Sequence, residues 1–423
     1  MNTHILAASV RFIEQPFLKP LQISSGLISK ATEARVTVRV RALGREATGH
    51  GSIYLSDLWA WPGGTPDREA KDKAMRRLCE TIASNLSTYC GNEDAHPLEL
   101  GLRLHHKAGS LADEMPVLAR AVCASPFDAA IHDAAGQALQ RSAFRFYEDD
   151  AAIPSADEFF PDGGAVRAIR SCLRPPVDSL DAWWLVSAKD DLEKTIRPAV
   201  KANGIRCFKI KVLARDNAAD AARTAEVYRA ARAWGLSPVL SIDSNEGNPD
   251  VASVSDYLKR LRALDADAYD ALAYLEQPTA RDIAAFPQDW SKLEGRKPVL
   301  LDEGLTSLDL LDLARAQNWS GFALKTCKGH SFALVAAAWA RQHTMLLSLQ
   351  DLTNPGYSAI HAFLFGAHVA TLNGVELNSP QYTPAANEPW LPALSELLEP
   401  RRGVHRLPQT EIPGLGSGLV PGP

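Results

Sequence analysis

The sequence predicts a parallel α/β barrel behind an N-terminal α+β domain, on three observations. First, five short apolar runs in the second half of the chain each end in charge: Phe208-Lys209-Ile210-Lys211-Val212, Leu240-Ser241-Ile242-Asp243, Ala273-Tyr274-Leu275-Glu276, Val299-Leu300-Leu301-Asp302-Glu303 and Phe322-Ala323-Leu324-Lys325. Second, the steps between the charged ends are 32 residues from Lys211 to Asp243, 33 to Glu276, 26 to Asp302 and 23 to Lys325. Each step fits one strand, one loop and one helix. Third, the first half reads differently. Arg35-Val36-Thr37-Val38-Arg39-Val40 alternates polar and apolar, as a strand with one wet face does, and residues 67–140 turn helical.

Taken in order, residues 1 to about 60 carry strand signals, Gly-rich turns and the aromatic loop Tyr54-Leu55-Ser56-Asp57-Leu58-Trp59-Ala60-Trp61-Pro62. The helical stretch that follows ends in small residues, Pro126-Phe127-Asp128-Ala129-Ala130-Ile131-His132-Asp133-Ala134-Ala135-Gly136. Residues 146–180 hold acidic, Pro- and Gly-bearing runs (Glu148-Asp149-Asp150, Pro161-Asp162-Gly163-Gly164, Pro175-Pro176) and are read as an insertion or linker. That divides the chain into an α+β domain over 1–145, the linker, and a barrel over 181–400. Trp183-Trp184-Leu185-Val186-Ser187 is the predicted first barrel strand. Helices are predicted over Asp216–Trp234, where Val227, Ala230, Ala231 and Trp234 form an apolar stripe, and over Pro249–Leu264, Ser331–Gln342 and Pro355–His368. Two further strands are predicted, Met345–Leu349 and Leu372–Leu377. The Pro/Gly-rich tail Ile412–Pro423 is expected on the surface, with residues from about 400 packing back on the N-terminal domain.

Composition excludes several classes. Among 423 residues, 46% are hydrophobic and 22% charged, the balance of a soluble globular protein. A formal net charge of −5 gives no electrostatic case for nucleic acid or an anionic membrane surface. The six cysteines are scattered, with no CxxC pair, and read as reduced core thiols. Met1–Leu6 has neither a basic segment nor a sustained apolar run, and the apolar stretch Phe332–Ala340 stops at Arg341, too short to span a bilayer. A cytoplasmic location is expected.

In a barrel, residues at the C-terminal strand ends converge on one pocket. The order Lys, Asp, Glu, Asp, Lys therefore places three carboxylates in the middle and an amine on either side. Three carboxylates in a low-dielectric pocket repel one another, and a hard divalent cation relieves that repulsion. Oxygen-only ligands select Mg²⁺, with Mn²⁺ as a substitute, and the lack of His at these positions argues against zinc. Asp243, Glu276 and Asp302 are the predicted ligands, with Asn245 and Glu303 just behind them. Lys211 is the predicted base, Lys209 shares its strand face and tunes it or contacts the substrate carboxylate, and Lys325 arrives from the far side. Burial, a neighbouring ammonium and the dication are expected to bring these amines toward neutrality. The cation would hold a substrate carboxylate and stabilise the enediolate formed as the α-proton leaves. Simpler readings exist: a KxK pair in isolation is a solvated strand face, and Glu276 and Asp302 could cap following helices. Neither explains why the three middle ends are acidic and both flanking ends basic. Lys328 is expected at a helix start or pocket rim, His330 and Asp351 at the rim, His132 in the N-terminal domain, and Trp59 and Trp61 in a lid or the interdomain seam.

These motifs together resemble the enolase superfamily, in its muconate lactonizing enzyme subgroup. The resemblance rests on Lys209-Ile210-Lys211, Asp243-Ser244-Asn245, Glu276-Gln277-Pro278, Asp302-Glu303 and Lys325, in order and at the right spacing. The helix around Phe127–Gly136 also resembles the one closing that family's N-terminal domain. The resemblance implies a capping domain over a modified (β/α)₇β barrel, with loops near Ile23–Ile28 and Gly49–Trp61 closing over a small-molecule carboxylate. It also implies Mg²⁺ dependence and a homo-oligomer. The mandelate racemase branch would need a His–Asp dyad, whereas strand six here ends in Lys325 and strand seven leads to Gln350-Asp351. Glu376-Leu377-Asn378 resembles the DxD segment with which dipeptide epimerases hold an ammonium, with both Asp replaced. Glu376, Asn378, Asp351, Lys328 and Trp59 are the expected substrate contacts. The expected activity is racemisation, epimerisation or cycloisomerisation through an enediolate. β-Elimination of the o-succinylbenzoate synthase kind, a Schiff-base aldolase on Lys325 and an inactive binding protein are the alternatives.

Overall fold

A computed structural model describes residues 1–23, 26–391 and 393–420. Its strands in chain order are β1 (Thr3–Ile23), β2 (Gly26–Ala42), β3 (Arg45–Tyr54), β4 (Ser179–Asp181), β5 (Trp183–Val186), β6 (Cys207–Lys211), β7 (Val239–Asp243), β8 (Leu272–Glu276), β9 (Val299–Leu301), β10 (Gly321–Lys325), β11 (Leu346–Gln350) and β12 (Val404–Arg406). The first three form an antiparallel sheet in the order β1-β2-β3. Val36, Val38 and Val40, the apolar set of the predicted alternation, are buried. Beneath them lies the helix Val117–Leu139. Its small residues have a steric cause: a Cβ at Gly49 would sit 2.1 Å from the Ala134 nitrogen, and one at Gly51 2.1 Å from the Pro126 oxygen. Strand and helix backbones therefore touch, which only glycine on one side and small residues on the other permit.

β5 to β11 form one parallel sheet in chain order, each strand beside its successor. The helices Asn217–Ala233, Val251–Leu264, His330–Gln342 and Gly356–His368 cover its outside. Asp216 caps the first of these through the Ala218 and Ala219 amides, and Val227 and Ala231 of the expected stripe are buried. A second, separate pairing joins β4 to β12 antiparallel.

The predicted eighth strand is reduced to two bridges, Val375 to Ala182 and Glu376 to Gln350, which close the barrel between β5 and β11. Side-chain amides replace the missing ladder. Asn373 bonds both the nitrogen (2.9 Å) and the oxygen (3.0 Å) of Leu349, while Gln381 bonds the nitrogen (3.1 Å) and oxygen of Leu185. Residues 146–180 are packed rather than extended. Phe146, Tyr147, Ile153, Phe160, Val166 and Ile169 are buried, and the helix Gly164–Cys172 packs on the helix His330–Gln342. The tail also departs from a surface path: Leu415 and Ser417 donate backbone N–H groups to Asp133, and Ile412 and Leu415 are buried. Pro421, Gly422 and Pro423 lie outside the described residues. All six cysteines are free and buried. No helix among the described residues is long and apolar enough to cross a membrane.

Candidate active site

Strand polarity gathers the charged ends. Across neighbouring strands Lys211 pairs with Asp243, Asp243 with Glu276, and Lys325 with Gln350. Asp302 and Glu303 follow β9 directly. The amine of Lys209, almost wholly buried, lies 2.9 Å from Glu276, 3.1 Å from Asp243 and 3.2 Å from Glu376. Lys211 donates to Asp243 and, at 2.9 Å, to Oδ1 of Asn245. Lys325 donates to Asp302, stands 3.8 Å from Glu276 and lies 4.6 Å from the centre of the Trp59 ring. Glu276 is thus bracketed by amines from both flanks, and Gln350 donates to its second oxygen.

The loops that carry these ends are tightly fixed. Asn245, Glu246 and Gln277, none of them glycine, hold φ of 41°, 70° and 34° just beyond β7 and β8. Such left-handed backbone survives only where the surroundings dictate it. Gln277 supplies part of that: its Oε1 accepts from the Asp302 amide (2.8 Å) and the Gly304 amide (3.0 Å), setting the turn that aims Asp302 inward. Asn245 donates to Glu303 at 2.9 Å, and the Trp59 indole donates to the same oxygen at 2.7 Å.

Electrostatics separate the three carboxylates. Burial opposes the charge on each, but the adjacent amines hold Asp243 and Asp302 below the usual carboxylate range. Glu276 goes the other way: burial, with Asp243 and Asp302 on either side of it, outweighs Lys209 and holds it well above the usual range. Glu303 is pushed up to about 7 by burial and by Asp302. The lysines were expected near neutrality with a dication beside them; the carboxylates around two of them act the other way. Burial alone would lower Lys209 and Lys325, yet Glu276, Glu376 and Asp243 around the first, and Asp302 and Glu276 around the second, raise both above the ordinary lysine value.

The donor set fits a hard divalent cation. It is all oxygen, its central carboxylate is destabilised by its neighbours, and Oε2 of Glu303 is buried with no hydrogen-bond partner among the described residues. No group of three or more His, Cys, Asp or Glu side chains among the described residues is already arranged as a cation cage. The ammoniums of Lys209, Lys211 and Lys325 lie against the same oxygens instead.

The remaining predicted residues fall variously. Lys328 is buried, not at a rim: it donates to the Asp302 carbonyl and lies 3.1 Å from Oδ1 of Asp302. His330 is likewise fully buried, bonded to His361 at 2.8 Å and edge-on to His132, at the seam between the helix Val117–Leu139 and the barrel helices. Asp351 lines the same space as Lys209, Lys211 and Lys325 but turns to Asn354 and Ser358, and burial pushes it up to about 7. Glu376 lies 3.2 Å from Lys209, which it shares with Glu276 and Asp243, and accepts from Asn378 at 2.6 Å. Trp59 and Trp61 are both buried. Of the loop expected near Ile23–Ile28, Ser24 and Ser25 lie outside the described residues. Sequence reasoning named Gln277 and Gln350 without giving them a role, and missed the Arg281–Glu246 pair (2.8 Å). Gln350 carries a usable signal, since it occupies the charged-end position of β11.

Comparison with known proteins follows the same lines. The family described as Enolase C-terminal domain-like matches residues 191–420, more than half of the chain. A dipeptide epimerase from Enterococcus faecalis V583, solved with Mg and the dipeptide L-Leu-L-Tyr, is similar over 98% of this chain and 99% of its own, with TM-score 0.66 and 16% identity. An N-succinyl Arg/Lys racemase from Bacillus cereus ATCC 14579 covers 98% of this chain and 95% of its own (TM-score 0.66, 16% identity). A muconate lactonizing enzyme from Pseudomonas fluorescens, solved with muconolactone, covers 98% and 96% (TM-score 0.62, 20% identity). At such identities the likeness concerns the fold. No curated protein sequence matches the chain.

Proposed function

Because the chain belongs to the enolase superfamily, with an Enolase C-terminal domain-like region over residues 191–420, we propose that it is a Mg²⁺-dependent isomerase that removes a proton α to a substrate carboxylate. The observation that carries this reading is the pair of amines on opposite flanks of three buried carboxylates. Lys211 is bonded to Asp243 on one side and Lys325 to Asp302 on the other. Mg²⁺, held by Asp243, Glu276 and Asp302, would stabilise the negative charge that develops on the substrate carboxylate as the α-proton leaves.

The chain's own residues do the rest. Lys211 takes the proton from one face of the α-carbon, and Lys325 returns one to the other face, which makes racemisation or epimerisation the favoured outcome. An amine that takes a proton must be neutral beforehand. Asp302, which favours the charged form of Lys325, releases that hold when it is engaged elsewhere. Asn245 orients the Lys211 amine, Lys209 offers a fixed positive charge beside Glu276, and the Trp59 ring keeps water off Lys325. The names of the structural neighbours, a dipeptide epimerase, an N-succinyl Arg/Lys racemase and a muconate lactonizing enzyme, support this reaction type. Cycloisomerisation uses the same amines, with one acting only as a cation.

Proton NMR in D₂O tests the reading with a panel of chiral carboxylic acids. Exchange of the α-hydrogen that needs Mg²⁺ and stops with chelator supports it, with Lys211→Ala interconverting neither enantiomer and exchanging only the one whose proton faces Lys325. Exchange indifferent to chelator, or borohydride trapping of an imine at Lys325, would replace it with the aldolase reading.

A further inference from the structure

The chamber that Lys209, Lys211 and Lys325 line has a volume of 70 Å³. That is room for about two water molecules, enough for a carboxylate and its α-carbon but not for the remainder of a substrate. A larger space shares Trp59 with it: a cavity of 790 Å³ between residues 58–71 and the loops that follow β6, β7, β8 and β9. Trp59 lines both spaces, and Asn245, the partner of Lys211, lines the larger one.

The charges lining this cavity are held in different ways. Glu246 holds Arg281 at 2.8 Å, Asp57 holds Arg68 at 2.8 and 3.1 Å, and Asp67 accepts the Ala70 amide of the helix it caps. Glu303 accepts from Trp59 and Asn245 at one oxygen, and its other oxygen has no partner among the described residues. Two cations remain. Lys71 is 1% exposed, and its ammonium meets the carbonyl of Gly63 and no carboxylate among the described residues. Arg215, exposed at the rim, has no ion pair among the described residues. A charge kept from water without a counter-ion is unfavourable, and an incoming anion removes that cost. We infer that this cavity is a subsite for a second anionic group, a carboxylate on the same substrate, recognised by Lys71 and Arg215.

The inference rests on the proton-abstraction reading but is tested apart from it. Calorimetric titration of the Mg²⁺-loaded protein at low ionic strength compares glutarate with valerate, two acids of equal chain length. Wild type is expected to bind glutarate about tenfold more tightly, and Lys71→Met and Arg215→Gln to cut that preference to threefold or less. Arg215 is exposed, so its variant reports even if the Lys71 variant folds poorly. Equal affinity for the two acids in wild type, or an undiminished preference in Arg215→Gln, overturns the subsite. Selective glutarate binding without α-hydrogen exchange from any acid instead removes the proposed reaction and leaves the subsite standing.

Discussion

Lys325→Met separates the two roles that the lysine amines play. In the structure Lys325 donates to Asp302 and stands 3.8 Å from Glu276, and both carboxylates are fully buried. Removing one member of a buried pair costs roughly 3–5 kcal/mol, because the other charge is left unmatched. Lys328 remains 3.1 Å from Asp302, which points to the lower end, about 3 kcal/mol. A dication among the same oxygens supplies the missing positive charge, so the variant should bind Mg²⁺ more tightly than wild type does. Urea unfolding measured with chelator, and again with saturating Mg²⁺, reads both effects. The gap between wild type and variant should shrink from about 3 kcal/mol to about 1 kcal/mol, equivalent to roughly thirtyfold tighter Mg²⁺ binding by the variant. A gap that Mg²⁺ leaves unchanged would mean that the lysine and the ion do not share these carboxylates.

Three further outcomes follow from named contacts. Gln277→Leu strips two buried amides, those of Asp302 and Gly304, of their acceptor. A loss of about 2–4 kcal/mol in chemical unfolding is expected, together with weaker Mg²⁺ binding by calorimetry. Gly51→Ala forces a methyl against the Pro126 carbonyl, and should lower stability by about 1–3 kcal/mol and expose β3 to limited proteolysis. Stability should also fall in acid because of buried histidines: burial lowers His405 to about 4 even though the Leu397 carbonyl pulls it up. Its folded value lies below the unfolded one of about 6.5, so the unfolded chain takes up the proton first. The contribution is intact above about pH 6.5 and declines toward pH 4, by up to about 3 kcal/mol. His405→Gln should flatten the melting-temperature slope over that window, and an unchanged slope would contradict the assignment.

Parallel strands buried on both faces read as uninterrupted apolar runs, so a charged residue at each end stood out in the sequence without any partner being known. That is why Lys209, Lys211, Asp243, Glu276, Asp302 and Lys325 were legible, along with the helix over 216–234. The barrel seam was not. Asn373 and Gln381 complete it with side-chain amides that satisfy backbone groups of Leu349 and Leu185, a pairing with no periodicity to read. The compact course of residues 146–180 was masked by their acidic and Pro-bearing stretches, although Phe146, Tyr147 and Phe160 offered apolar anchors. For the lysines, burial, like charge and the dication were weighed, but the pull of the four carboxylates around Lys209 and Lys325, which raises both in the folded chain, was not.

Calorimetric titration of Mg²⁺ into wild type and single variants tests the shared-carboxylate site most directly. The account predicts one ion per chain for wild type and for Lys211→Ala, and loss of that binding in Asp243→Asn, Glu276→Gln and Asp302→Asn. Wild type that takes up no Mg²⁺, or carboxylate variants that bind it as tightly as wild type, would contradict it.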